Sequence, residues 1–439
     1  MNNLGLLTWM CAASMLGGGV CASAQTLSVM SLEEIFEIAD NQSIQFRPAK
    51  MAEDEAERGI DIARSLRLPE INATLSVGYN GDGFTTKRDF SDYQKAPIPH
   101  LGNAFTVDIS QPIYTGGAIT NSIALAKLKS NSAKRSTEIQ RDNLRMQLTG
   151  FYLDIYKYFN LKKVIEGNIE NANNILNNMR ARYHQGLALQ NDITRYELLF
   201  SNLELDLIRI NNLLDILNKN LVVTAGIDSQ VKIVPDSTML SRALPKDNEE
   251  WWQREADANS PTVKLAQLGI DICKKGEKLV AAERLPKVGL KAGWTTDGPI
   301  LVEVPPINRN LSYWYVGIGV SYNLSSLYKT NKKLQQSRAA LHTAQAQYDA
   351  TKENIELAIR ADYIKYLESY EELKSREKSC ELAELNYYTT STRYAEGMAL
   401  ITDMLDAANA KLDAEKELTN ARINVIYYYY KLLFTSGRI

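Results

Sequence analysis

The spacing of apolar residues changes period several times along this chain. Ser31-Leu32-Glu33-Glu34 sets a hydroxyl three positions before a carboxylate, a capping box that predicts a short helix. Helical spacing resumes near Ser43 and runs to Leu66, with Met51, Ile60, Ala63 and Leu66 apolar, until Pro69 stops it. The period then drops to two. From Ile71 to Tyr79 every odd position is apolar and every even one is polar or glycine, and Phe105-Thr106-Val107-Asp108-Ile109-Ser110 alternates again after a Gly/Asp/Pro-rich loop. These are two strands with one greasy and one wet face, the pattern of a membrane barrel or of a half-exposed sheet.

Pro112 to Gly117 turn the chain into a helix that meets no proline before Gly186. At 1.5 Å per residue it is on the order of 100 Å long. A second helix follows from about Asp192 to Ala225. Then the plan repeats. Subtracting 211 carries Arg393-Tyr394-x-x-Gly397 onto Arg182-Tyr183-x-x-Gly186 and Leu400 and Asp403 onto Leu189 and Asp192. The same shift takes Leu432, Thr435 and Gly437 to Leu221, Thr224 and Gly226, while a shift of 217 relates Ala39, Asp40, Ser43, Leu68 and Pro69 to Ala256, Asp257, Ser260, Leu285 and Pro286. A fixed period marks a duplicated architecture. The shift falls by six between the paired strands, so the second hairpin loop is shorter. In the first helix of the last long pair, Leu334, Leu341, Tyr348, Ile355, Ile359, Tyr366, Tyr370, Leu373 and Cys380 fall at near-heptad steps, a coiled-coil seam.

The expected organisation is a signal peptide over 1–24 and a first repeat over 25–226, with strands at about 70–80 and 104–112 and helices at 116–184 and 190–225. A connecting segment covers 227–248. The second repeat takes 249–439, with strands at about 287–296 and 313–324 and helices at 329–395 and 400–434.

Composition narrows the reading. Only 12 prolines occur in 439 residues, which favours long helices, and 50 basic against 52 acidic side chains with no basic block exclude a nucleic-acid partner. Residues 1–24 carry no charged side chain, and Ala22-Ser23-Ala24 forms a small-x-small cleavage site before Gln25. Cys21 leaves lipoprotein processing as the alternative. Cys273 and Cys380 read as two separate buried thiols, with a disulfide as the alternative. His100, His184 and His342 lack ligand spacing, and no phosphate loop, nucleophile elbow or zinc helix occurs, so neither cofactor nor enzyme activity is expected.

Four alternating strands cannot close a barrel alone, and open edges are not tolerated in lipid. If these strands cross a membrane, several chains share one barrel.

The chain resembles the TolC-like outer-membrane efflux proteins. The residues that carry the resemblance are Pro112-Ile113-Tyr114-Thr115-Gly116-Gly117, the two Arg-Tyr-x-x-Gly turns, Ile401 to Ala407 and Glu415 to Arg422, and it spans nearly the whole mature chain. It implies a homotrimer in outer-membrane lipid, with a shared twelve-stranded β-barrel, four strands per chain. That barrel would continue into a long α-helical coiled-coil tunnel across the periplasm of a Gram-negative cell. It further implies a passive efflux or secretion duct fed by an inner-membrane pump through a periplasmic adaptor. A periplasmic coiled-coil adaptor or scaffold is the competing reading.

The resemblance also implies a periplasmic aperture gate at Asp403, Asp406, Asp192 and Tyr394, beside the helix-break turns at Gly186 and Gly397. Threefold symmetry would bring Asp403 and Asp406 together as six carboxylates, a ring that favours cations. Tyr394 would link to Asp192. Ala399 stands where family members can carry an arginine of that lock, so a weaker or differently built latch follows. The bland alternative is that Asp192 and Asp403 only favour the first turns of restarting helices. Asn171, Asn174 and Asn178 read as a lumen stripe or a solvated face. Tyr427 to Tyr430 read as packing, and Tyr79, Trp294, Trp314 and Tyr322 as an interface girdle or the core of a soluble sheet.

Overall fold

The computed structural model describes residues 26–236, 244–245, 247–303 and 305–439. The signal peptide expected over 1–24, and Cys21 with it, lies outside them.

Strand β1 (Thr26–Met30) leads through Ser31, whose Oγ accepts from the Glu34 N–H while Glu34 accepts from the Ser31 N–H, into α1 (Leu32–Gln42). Helix α2 (Arg47–Ser65) rises to β2 (Glu70–Tyr79). A small hairpin, β3 (Gly83–Thr85) and β4 (Gln94–Ala96), occupies what the sequence reads as loop, before β5 (Leu101–Tyr114). Helix α3 (Ala118–His184) is 67 residues long and turns back as α4 (Gln190–Ala225). After β6 (Val231–Pro235) the second repeat runs α5 (Glu249–Asn259), α6 (Pro261–Ala282), β7 (Lys287–Gly298), β8 (Leu311–Ser321), α7 (Ser326–Ala395) and α8 (Ile401–Ser436).

The four long strands form one antiparallel sheet in the order β2-β5-β7-β8, so β5 against β7 joins the repeats. Its register keeps the period-two faces aligned across all four strands. Ala73, Val107, Trp294 and Trp314 share one row, and Asn72, Asp108, Gly293 and Tyr315 the next, which points to the other face. On the apolar face Leu75, Val77, Tyr79, Trp314, Ile318 and Val320 remain largely exposed. Among the described residues no element covers them. Strands of 10 to 14 residues match the length needed to cross a hydrocarbon layer at a tilt. Among the described residues no helix is long and apolar enough to cross a membrane.

The helical part has two cores, and the duplication preserves their anchors. In the first, α1 packs on α3 and α4 through Leu32, Ile35, Ala39, Leu148, Tyr152 and Leu221, with Ile423 and Ile426 of α8. In the second, Trp252 and Ala256 of α5 meet Ile359 and Tyr366 of α7 and Leu432 of α8. The repeat mates Ala39 and Ala256 are both buried, as are Leu221 and Leu432. Pairing of β1 with β6 is parallel and joins segments about 200 residues apart in the chain. Tyr152 fixes that pair to α3, donating to the Met30 carbonyl (2.9 Å) and accepting from the Asp236 N–H (2.8 Å). Tyr427 to Tyr430 lie around α8 among these cores, as packing residues. Cys273 and Cys380 are free thiols, so the disulfide alternative is not realised.

Candidate functional site

The two helix-break turns are built alike. In the first, Gly186 N–H donates to Tyr183 O and Leu187 N–H to Arg182 O, both at 2.9 Å. In the second, Gly397 N–H donates to Tyr394 O at 3.0 Å and Met398 N–H to Arg393 O at 2.8 Å. These are helix-ending turns whose pivot sits in the left-handed region, at φ +75° for Gly186 and +77° for Gly397. A Cβ there would strain the backbone, and glycine has none. Each turn therefore reverses a long helix within a few residues and sets two hairpin tips side by side.

Tip-to-tip contact is made by a group that the sequence reading did not select. The Arg182 guanidinium at the end of α3 donates to the Ala395 carbonyl, 2.8 Å away, at the end of α7. A cation there complements the negative end of the helix and satisfies an orphan carbonyl. Nothing in composition marks it, because the partner is a carbonyl that every residue carries.

No hydrogen bond joins Asp192 to Tyr394 among the described residues; across the two repeats they interact only through the carboxylate's charge. Burial, with the Asp192 carboxylate beside it, pushes the Tyr394 phenol above its ordinary value, and the Arg182 guanidinium draws it back. Beneath them Tyr196 is almost fully buried, its phenol also pushed up by burial and by Tyr387.

Asp403 and Asp406 lie outside this contact. Both are exposed on the first turns of α8. Asp403 accepts from the Leu400 N–H at 3.1 Å, a helix-start bond in line with the bland alternative for that residue. Asp406 has no ion-pair partner among the described residues. Subtracting 211 from 406 gives Arg195, also exposed and unpaired among the described residues. The same subtraction, applied one turn further along, would have found it in the sequence.

Of the asparagine stripe, Asn171 donates to the Tyr387 hydroxyl (3.0 Å), joining α3 to α7, whereas Asn174 and Asn178 are exposed. Nearby Asn168 donates to Glu415 and Lys416 pairs with Asp206, so polar bonds stitch the hairpins below the tip. Among the described residues no grouping of His, Cys, Asp and Glu could hold a metal ion.

The family model described as outer membrane efflux protein matches residues 36–226 and 252–431, one match per repeat. The chain is 21% identical to the outer membrane protein TolC of Vibrio cholerae serotype O1 over 425 residues, covering 96% of this chain and 94% of that protein. It is 19% identical to the outer membrane efflux protein BepC of Brucella suis over 383 residues, covering 87% and 80%. The crystal structure of the outer membrane protein VceC from Vibrio cholerae superposes with a TM-score of 0.73 at 15% identity, covering 92% of this chain and 96% of that one.

Proposed function

The chain belongs to the outer membrane efflux protein family, and on that premise we propose that three copies assemble into one duct from the outer membrane into the periplasm. One observation carries this reading. Among the described residues the sheet has an uncovered apolar face and two unpaired edges, β2 and β8, and it stands on helices of 67 and 70 residues. Unpaired backbone groups are costly in lipid, so β8 of one copy pairs with β2 of the next, and three copies close twelve strands. An adaptor or scaffold would leave the apolar sheet face without a role.

The duct does no chemistry. Cargo arrives from an inner-membrane pump through a periplasmic adaptor that docks on the hairpin tips, and it leaves through the barrel. At the tip, Asp192 and Tyr394 hold neighbouring hairpins together, while Asp403 and Asp406 charge the aperture and Gly186 and Gly397 let the helices turn there. Threefold symmetry gives six carboxylates, and the Arg195 side chains stand at the places equivalent to Asp406. The aperture therefore has a net negative but mixed charge, with a modest preference for cations.

Reconstitution into planar bilayers tests the reading. Purified protein should need detergent for extraction, migrate as a trimer in native gels and give discrete conductance steps. Release from washed membranes by salt alone, or a trimer that never conducts, overturns it.

A further inference from the structure

The duplication lets contacts inside one chain forecast contacts between copies. One seam within the chain joins the repeats at the tip: Arg182 on the Ala395 carbonyl, and Asp192 beside Tyr394. Shifting the first-repeat members by +211 and the second-repeat members by −211 names the seam that a single chain leaves open. Arg393 and Asp403 stand on one side, His184 and Tyr183 on the other. All four are exposed, and Arg393 forms no side-chain hydrogen bond or ion pair among the described residues.

The helix shafts follow the same rule. Leu153 of α3 is buried at 3% exposure in the core shared with α8, whereas its repeat mate Ile364 on α7 is 56% exposed. Tyr427 of α8 packs against that core, whereas its mate Ile216 on α4 is 56% exposed. Helix α6 lies between α3 and α7, whereas its counterpart α2 packs chiefly on α3 among the described residues, with Ile62 largely exposed. Each surface left bare is the mate of one that is covered within the chain, Ile364 on the second repeat and Ile216 and Ile62 on the first. In a closed ring, neighbours placed as the second repeat is placed on the first cover the bare surface of each repeat.

We propose that the Arg393 guanidinium donates to the backbone carbonyl of His184 of the partner subunit. This rests on the trimeric reading above. A cyclic trimer then has six arginine-to-carbonyl contacts at its tip, three within chains and three between them. Charged donors to helix-end carbonyls form the stronger class of hydrogen bond. They hold the closed tip at every seam even though Ala399 leaves the family position without a guanidinium.

Cysteine pairs read this directly. In the full-length protein carrying Cys273→Ser and Cys380→Ser, Arg393→Cys with His184→Cys is treated in native membranes with a short bis-maleimide. Arg182→Cys with Ala395→Cys is the control within one chain. The first pair should convert most of the protein to covalent dimers and trimers on denaturing gels, with neither single variant doing so, and the control pair should stay at monomer size. A chain that a lysine-directed reagent captures as a trimer, yet whose 393/184 pair yields no covalent multimers, overturns the seam and leaves the trimer standing. Absence of any trimer overturns both. Independently, Arg393→Gln should lower the temperature at which the detergent-resistant oligomer dissociates, and Arg393→Lys should restore part of the loss. An unchanged temperature for Arg393→Gln also counts against the seam.

Discussion

The Tyr315 hydroxyl donates to Asp108 Oδ1 at 2.9 Å, spanning from β8 to β5 across the whole width of β7. Gly293 makes the reach possible: a Cβ built there would lie 2.6 Å from the tyrosine ring. On the wet face of the sheet this bond ties the second-repeat hairpin to the first. Gly293→Ala should displace the ring and break the bond, lowering the dissociation temperature of the oligomer more than Tyr315→Phe, which loses only the hydroxyl. Heating in mild detergent followed by gel electrophoresis reads both variants, and equal temperatures for the two would remove the steric argument.

The left-handed glycines differ in what surrounds them. Gly397 has open space around its missing Cβ, so Gly397→Ala should cost only the backbone term, about 1–2 kcal/mol. Gly226 has nearly the same φ, but a Cβ there would stand 2.7 Å from the Gln42 carbonyl oxygen. Gly226→Ala should therefore be the more damaging change, seen as a larger drop in thermal unfolding temperature.

The aperture charges should act in opposite directions. Asp403→Ala with Asp406→Ala should reduce cation preference, and Arg195→Ala should raise it, both read as shifts of reversal potential in a salt gradient. Reversal potentials unmoved by all of these would take the tip out of ion selection.

Asp142 on α3 is buried, and burial raises its pKa above the ordinary 3.8 despite the opposing charges of Arg141 and Arg145. A raised folded value means that the folded chain holds the proton more tightly than the unfolded chain. The stability this contributes is complete below the unfolded value and is lost as pH rises through the folded one. Asp142→Asn should thus stabilise the protein at neutral pH, with the advantage disappearing on acidification past the ordinary carboxylate range. Parallel unfolding curves across that range would show the charge to be fully compensated.

Local period settled much of this protein from its sequence. Alternation at 71–79 and 288–294 marks strands because successive side chains point to opposite faces, and near-heptad steps from Leu334 to Cys380 mark a long helix because 3.6 residues make a turn. Both depend only on neighbours in the chain. The 211-residue repeat followed in the same way, and with it the paired turns at Gly186 and Gly397.

Contacts between elements were another matter. Each residue turns a helix by about 100°, so a one-residue change in rotation decides whether Arg182 meets Ala395 or water. The partner there is a backbone carbonyl, and so is the acceptor of Ser43 at Thr224. Neither leaves a trace in residue identity. The parallel pairing of β1 with β6 was equally hidden, since five residues show no periodicity and their partner lies across the first repeat. Tertiary structure decided these, because they are set by how helices rotate and slide against one another.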